Sequence, residues 1–280
     1  MSGYTRPSSL DAAYAARAAH PDWVVLAGGT DLMVGVLHRP APPGVIDLFG
    51  LAPLRGIEVT GDCFRIGAAT TYAELLRHEV VAAELPLLRA CAEEVGALQI
   101  QERGTIGGNV ATSSPVGDTL PALLALDAEV VLGSAQGPRR VPYHSFCTGY
   151  RKVDLRPDEL IVAFELPRPA PPHQHWRKVG TRKAQSISKV MLAASARDAG
   201  DALQDVRVAM GAVADRPVRL RGVEALLEGQ VPDAALAEAA RAQVAREITP
   251  ISDVRSTAPY RLRVAQNLVA RFVLELAGGA

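Results

Sequence analysis

The chain is 280 residues long, about twice an ordinary domain, so two domains, or one large and one small, is the starting expectation. Hydrophobic residues make up 48% and charged residues 21%; no apolar run is long enough to span a bilayer and no basic-then-apolar leader opens the sequence, so the expectation is a cytoplasmic protein with no membrane insertion. Lys plus Arg and Asp plus Glu both total 30, which leaves a formal charge of zero and no broad basic field to draw nucleic acid or anionic lipid.

In chain order, Ser8 to His20 opens with Ser8-x-x-Asp11 and continues through alanines, Leu10 and Tyr14, which predicts a short capped helix. Trp23 to Leu26 reads as a buried strand running directly into Ala27-Gly28-Gly29-Thr30-Asp31-Leu32, after which Met33 to Leu37 is apolar enough to start a helix or a second buried segment. With Val45 to Leu48 as another strand, residues 1–54 form a small β-α-β-like lobe. Ile57-Glu58-Val59 and Cys63-Phe64-Arg65-Ile66 flank Thr60-Gly61-Asp62, a hairpin signal, and Thr71-Tyr72-Ala73-Glu74 has the spacing of a capping box. Leu85 to Val95 carries helical spacing, and Gly96 to Ser114 is expected to be a long loop. Asp118 precedes the helical run Leu120 to Leu126; Glu129 to Leu132, Arg139 to Pro142 and Leu160 to Leu166 read as strands.

The Pro-rich stretch Leu166 to His175 marks the expected domain boundary, with residues 1–170 (lobes 1–54 and 55–170) on one side and 171–280 on the other. Beyond it, Ile187 to Arg197 and Val206 to Val213 look like strands of one sheet, and Val218 to Glu228, Pro232 to Glu247 and Pro259 to Leu276 look helical, an α+β arrangement. Cys63, Cys91 and Cys147 stand far apart without a C-x-x-C, which argues against an iron–sulfur cluster or structural zinc in this chain and for three small buried hydrophobes. His173 and His175 are placed in a loop, a poor metal site.

Two glycine-rich segments carry most of the chemical signal: Ala27 to Leu32, leaving a strand, and Gly104-Thr105-Ile106-Gly107-Gly108-Asn109. Consecutive glycines allow positive φ and let several N–H groups converge on one concavity, where the charge of a pyrophosphate can sit without a large side chain in the way. Thr30, Thr105 and Asn109 add hydroxyl and amide groups. Neither segment is a Walker A motif or the G-x-G-x-x-G of a dinucleotide-binding Rossmann fold. Two such segments from different lobes suit an extended dinucleotide. Asp118 either caps its own helix or accepts from ribose hydroxyls, and both readings stand.

These motifs give the chain a family resemblance. Leu26-Ala-Gly-Gly-Thr-Asp-Leu32, Gly67-Ala-Ala-Thr-Thr71, Thr105-Ile-Gly-Gly-Asn109 through Ser114-Pro115, Asp118 and Pro121 to Leu126, Thr148-Gly-Tyr-Arg151, Pro157 to Ile161, and Arg177 to Lys189 together make it resemble the FAD-binding, or medium, subunit of the xanthine dehydrogenase and carbon monoxide dehydrogenase family of molybdenum hydroxylases, over nearly its whole length. The resemblance implies an α+β fold: a two-lobed FAD-binding domain of the vanillyl-alcohol oxidase (PCMH-type) superfamily, plus a smaller carboxy-terminal α+β domain with an antiparallel sheet and helices. It places FAD against Leu26, Ala27, Gly28, Gly29, Thr30, Asp31 and Leu32 and against Thr105, Ile106, Gly107, Gly108 and Asn109, with Asp118, Leu160, Ile161 and Lys178 beside the cofactor. A cation such as Lys178 near the N1 edge of a reduced flavin would favour reduction; without the resemblance, Lys178 reads as an exposed lysine on a strand edge. The chain departs from some relatives at Gln185 and Ser186, where animal members carry an acidic pair, and near Val95, where an aromatic covers the flavin elsewhere; it also lacks a cysteine-bearing insertion.

The function so implied is electron transfer without an acid–base site of its own: two 2Fe-2S clusters on a small partner subunit feed the FAD, a large partner holds the molybdenum cofactor, NAD⁺ is the expected acceptor, and the assembly is a dimer of heterotrimers. Two other readings are a self-contained flavin oxidase or dehydrogenase, for which no Tyr, His or Glu constellation presents itself, and a non-redox nucleotide-binding assembly factor.

Overall fold

The computed structural model describes residues 3–35, 38 and 40–278. Its first lobe is a parallel sheet of β1 (Gly3–Thr5), β2 (Val24–Leu26) and β3 (Gly44–Asp47), ordered β1-β3-β2, with helix α1 (Leu10–Ala19) between the first two strands. Ser9, not Ser8, caps α1: its hydroxyl accepts from the Ala12 N–H. β2 is less buried than expected, with Val25 exposed to 38%. The glycine segment after it enters a 3-10 turn, Leu32–Gly35, where Met33 and Val34 are exposed rather than opening a buried segment; Val36 and Leu37 of that expected segment lie outside the described residues.

The second lobe carries a five-stranded antiparallel sheet. Its chain order is β4 (Ile57–Val59), β5 (Cys63–Gly67), the helices α2 (Tyr72–Arg77), α3 (Glu79–Glu84), α4 (Pro86–Glu93), α5 (Leu98–Arg103), α6 (Ile106–Thr112) and α7 (Thr119–Ala125), then β6 (Glu129–Ser134), β7 (Gly137–Pro142), α8 (Tyr143–Phe146), the small pair β8 (Cys147–Gly149) and β9 (Lys152–Val153), and β10 (Leu160–Pro167). The sheet runs β4-β5-β10-β6-β7, so the last strand in sequence lies in the middle. The expected hairpin is present as β4 and β5, and the capping box forms as read: the Thr71 hydroxyl accepts from Glu74 N–H while the Glu74 carboxylate accepts from Thr71 N–H. Helix α7 is buried on every side, as an all-round apolar helix must be.

Gly96 to Ser114 is not a long loop; it holds α5 and α6. Helix α5 begins without a side-chain cap, and α6 carries Gly107 and Gly108 in its first turn, each costing about 1 kcal/mol of intrinsic helix preference. Both features hide helices from sequence patterning, and tertiary bonds supply what propensity does not.

The remaining sheet is antiparallel, ordered β11 (His173–Val179), β12 (Val190–Ala199), β13 (Ala202–Gly211) and β14 (Val218–Arg219), and is followed by α9 (Arg221–Leu227), α10 (Ala234–Val244) and α11 (Ala258–Leu276). His173 and His175 therefore sit on a strand, not in a loop, and Val218 and Arg219 belong to β14 rather than to the helix expected there. Along β12, Val190, Leu192, Ala194 and Ala196 pack with α9, α10 and α11, whereas Ala193 packs in the second-lobe core that includes α7. Alternate residues thus face two cores, which is why the strand reads as one continuous apolar run. No helix among the described residues is long and apolar enough to cross a membrane.

Candidate functional site

Glycine brings the two lobes together. A Cβ on Gly28 would stand 1.8 Å from the Arg103 carbonyl oxygen, so the first glycine segment lies directly against the end of α5. The Arg103 guanidinium stacks 3.9 Å from the centre of the Phe49 ring, a second tie between the lobes. Between them lies a cavity of about 480 Å³, within the size range of small-molecule sites.

Of the residues expected at a cofactor, Leu26, Ala27, Gly28, Gly29, Thr30, Asp31 and Leu32 line this cavity from the first lobe; Thr105, Gly107, Gly108, Asn109, Leu160 and Ile161 line it from the second. Gly29 adopts φ +78°, a left-handed conformation that suits glycine. Among the described residues, no protein acceptor takes the N–H groups of Gly28, Gly29, Thr30 or Asp31. The second segment differs. Ile106 N–H donates to the Thr70 carbonyl, Gly107 N–H to the Ala68 carbonyl at 2.8 Å, Gly108 N–H to the Thr105 hydroxyl, and Asn109 N–H to the Thr105 carbonyl. The amides from Ile106 to Asn109 are already engaged, so these residues contribute a wall without side chains at Gly107 and Gly108 rather than a second set of converging donors.

Asn109 adds a directed polar group. The Thr119 hydroxyl donates to Asn109 Oδ1 at 2.6 Å and stands 3.4 Å from the Tyr72 hydroxyl, which donates to it in turn because the Thr119 proton is spent. With Oδ1 occupied, the Asn109 carboxamide has its N–H₂ left to offer. Burial pushes the Tyr72 phenol well above its ordinary range, so it stays protonated as this relay needs.

Three expected residues are not on the cavity wall. Ile106 is fully buried in the second-lobe core. Asp118 and Lys178 meet each other: Lys178 Nζ lies 2.8 Å from Asp118 Oδ2 and donates to the Glu94 carbonyl at 2.9 Å, while the Ser188 hydroxyl donates to Asp118 Oδ1 at 2.7 Å. Asp118 heads α7 but makes no side-chain cap bond, so it neither caps the helix nor has an oxygen free of a partner. Burial raises its carboxyl, with Lys178 and Ser188 pulling the other way. Lys178, with 4% of its side chain exposed, is no surface lysine. Glu94 and Asp118 adjoin the wall residues Val95 and Gly117, so the ion pair sits immediately behind the cavity. The same wall contains Arg17, Arg151 and Glu159, charged residues from α1, the β8–β9 turn and the approach to β10 that motif reading did not single out as site residues, although Arg151 and Glu159 each lay within a quoted motif.

Two α+β lobes closing on a glycine-walled cavity, with an antiparallel sheet and helices beyond them, are the architecture of an FAD-binding domain joined to a smaller carboxy-terminal domain. Residues 1–169 match the family model described as the FAD binding domain in molybdopterin dehydrogenase, and residues 175–276 match that of the CO dehydrogenase flavoprotein C-terminal domain. The chain belongs to the FAD-binding subunits of the xanthine dehydrogenase and carbon monoxide dehydrogenase family of molybdenum hydroxylases. It is 31% identical to the xanthine dehydrogenase FAD-binding subunit of Escherichia coli O157:H7, over 100% of this chain and 97% of that one. It is 30% identical to the nicotine 6-hydroxylase medium subunit of Paenarthrobacter nicotinovorans, over 97% and 96%. The solved carbon monoxide dehydrogenase of Hydrogenophaga pseudoflava superposes with a TM-score of 0.92 at 29% identity, covering 99% of this chain and 97% of that one.

Proposed function

We propose that the chain binds FAD in the inter-lobe cavity and relays electrons from 2Fe-2S clusters of a small partner subunit to NAD⁺, within an assembly whose large subunit holds the molybdenum cofactor. The observation that carries this reading is that the two glycine segments, from separate lobes, line one cavity. Bound FAD would supply both one- and two-electron redox chemistry. The chain's own part is positional. The N–H groups of Gly28 to Asp31 receive the diphosphate, the bare backbone at Gly107 and Gly108 admits it closely, and the Asn109 amide donates to the nucleotide. Leu160 and Ile161 present apolar surface beside it, and Ile106 holds the second segment in the core. Lys178 and Asp118 act from behind the wall; because they neutralise each other, their field on the flavin is that of a dipole rather than a bare cation, a weaker bias on reduction.

In this reading residues 1–170 form the cofactor domain, with lobes 1–54 and 55–170, residues 171–280 form the second domain, and the complex is a cytoplasmic dimer of heterotrimers. The names of relatives support a multi-subunit setting, since they include medium subunits and medium chains. The test is anaerobic titration of the FAD-loaded chain with NADH, followed by flavin absorbance. Bleaching is expected; a loaded chain that stays yellow removes NAD⁺ as acceptor. Metal analysis of the complex purified through this chain checks the partners, with molybdenum and iron expected together.

A further inference from the structure

Among the described residues, four charged side chains stand on the cavity wall: Arg17, Asp31, Arg151 and Glu159. Glu159 is committed to the protein, accepting from Arg139 Nε and Nη2, both at 2.8 Å, and from Arg156 N–H. Arg17 donates through Nη1 to the Trp23 carbonyl at 3.0 Å. Arg151 is held far more loosely. Its guanidinium faces Asp31 across the lobes at 3.8 Å, beyond hydrogen-bond distance, with 42% and 59% of the two side chains exposed. Asp31 in turn belongs to the segment whose N–H groups lack a protein acceptor.

The backbone gives independent support. Arg151 adopts φ +52°, a left-handed conformation that costs a non-glycine residue on the order of the difference glycine avoids, and such residues cluster at ligand clamps. It occupies the turn between β8 and β9, which is fixed from outside: Arg139 binds both the carboxylate and the carbonyl of Asp154, and Asp154 N–H donates to the Phe146 carbonyl. A rigid turn therefore holds a strained residue whose cation points to the cavity with only a distant, solvated partner.

We propose that Arg151 is the counter-ion of the nucleotide diphosphate, and that Asp31 is its placeholder: on binding, the guanidinium exchanges the Asp31 carboxylate for phosphate oxygens, which it matches as a two-pronged donor. This rests on the FAD reading above. Neutral amides alone leave a doubly charged diphosphate beside the Asp31 carboxylate, and Arg151 is the wall cation that already stands 3.8 Å from that carboxylate.

The test uses the full chain stripped of flavin, with FAD affinity measured by fluorescence quenching across a salt series, and circular dichroism to verify folding. Arg151→Ala should weaken FAD binding at least tenfold at low salt, with the deficit shrinking as salt rises, because screening removes the wild-type advantage. Arg151→Lys should recover part of the affinity. Asp31→Asn keeps its N–H while removing the competitor and should tighten FAD binding severalfold. Should Arg151→Ala bind as tightly as wild type, or lose the same factor at every salt concentration, the assignment is overturned; if that variant does not fold, an Asp31→Asn chain with unchanged or weaker affinity overturns it. Wild-type protein that takes up no FAD at any salt would instead remove the FAD reading itself, which separates the two failures.

Discussion

Gly28 has no room for a methyl group because the atom it would strike is a backbone carbonyl, which cannot rotate aside as a side chain can. Gly28→Ala must therefore force the lobes apart. The expected result is a loss of about 1–3 kcal/mol of stability and a chain that leaves purification without its flavin, checked by thermal melting and by absorbance of the purified protein. Gly61→Ala, in the β4–β5 turn with nothing within 4 Å of its Cβ position, is the matched control and should retain both. The glycine signal was legible in sequence because few residues tolerate such approaches. The pairing of Lys178 with Asp118 was not, since 60 positions separate them and a lone lysine reads as surface. Removing one member strands the other in a buried setting, so Lys178→Met should cost about 3–5 kcal/mol in urea unfolding, and the double change Lys178→Met with Asp118→Leu should recover much of it.

Among the elements, β11 and α11 meet through a titrating contact. His175 Nδ1 lies 2.8 Å from Glu275, and its ring is 5.8 Å from the centre of Phe272. Burial holds the imidazole below its ordinary pKa, assisted by Arg271 and Arg177 and opposed by Glu275. An unfolded chain titrates this residue near 6.5, so just below that pH it binds more protons than the folded chain does. Stability from this residue is complete above about 6.5 and declines as pH falls toward the lower folded value. His175→Gln should flatten the fall in melting temperature between about pH 7.5 and 5.5; a variant as pH-sensitive as wild type would exclude His175 as the cause. Elements whose signals are local, such as the Thr71–Glu74 capping box and the β4–β5 hairpin, were legible in sequence. Helix α6 was not, because its order depends on the Ala68 and Thr70 carbonyls, contributed by a segment more than thirty residues earlier.

At the scale of the whole molecule, the two separated glycine segments that come to line one cavity were legible in sequence. The cavity's charged residues were less so, since α1, the β8–β9 turn and the approach to β10 converge only on folding. The two-lobed plan also has a consequence for biosynthesis. Strand β10 is the last of its sheet to be made, yet it separates β5 from β6, contributes Leu160, Val162 and Ala163 to the first-lobe core, and supplies part of the cavity wall. A nascent chain ending before Leu160 carries both glycine segments but only the separate β4–β5 and β6–β7 pairs, not the joined sheet that holds the segments at the right separation. Such long-range pairing is slow and leaves strand edges open while it waits. Cofactor capture therefore follows emergence of Pro167 from the ribosome, and until then β5 and β6 are the edges a chaperone would have to cover.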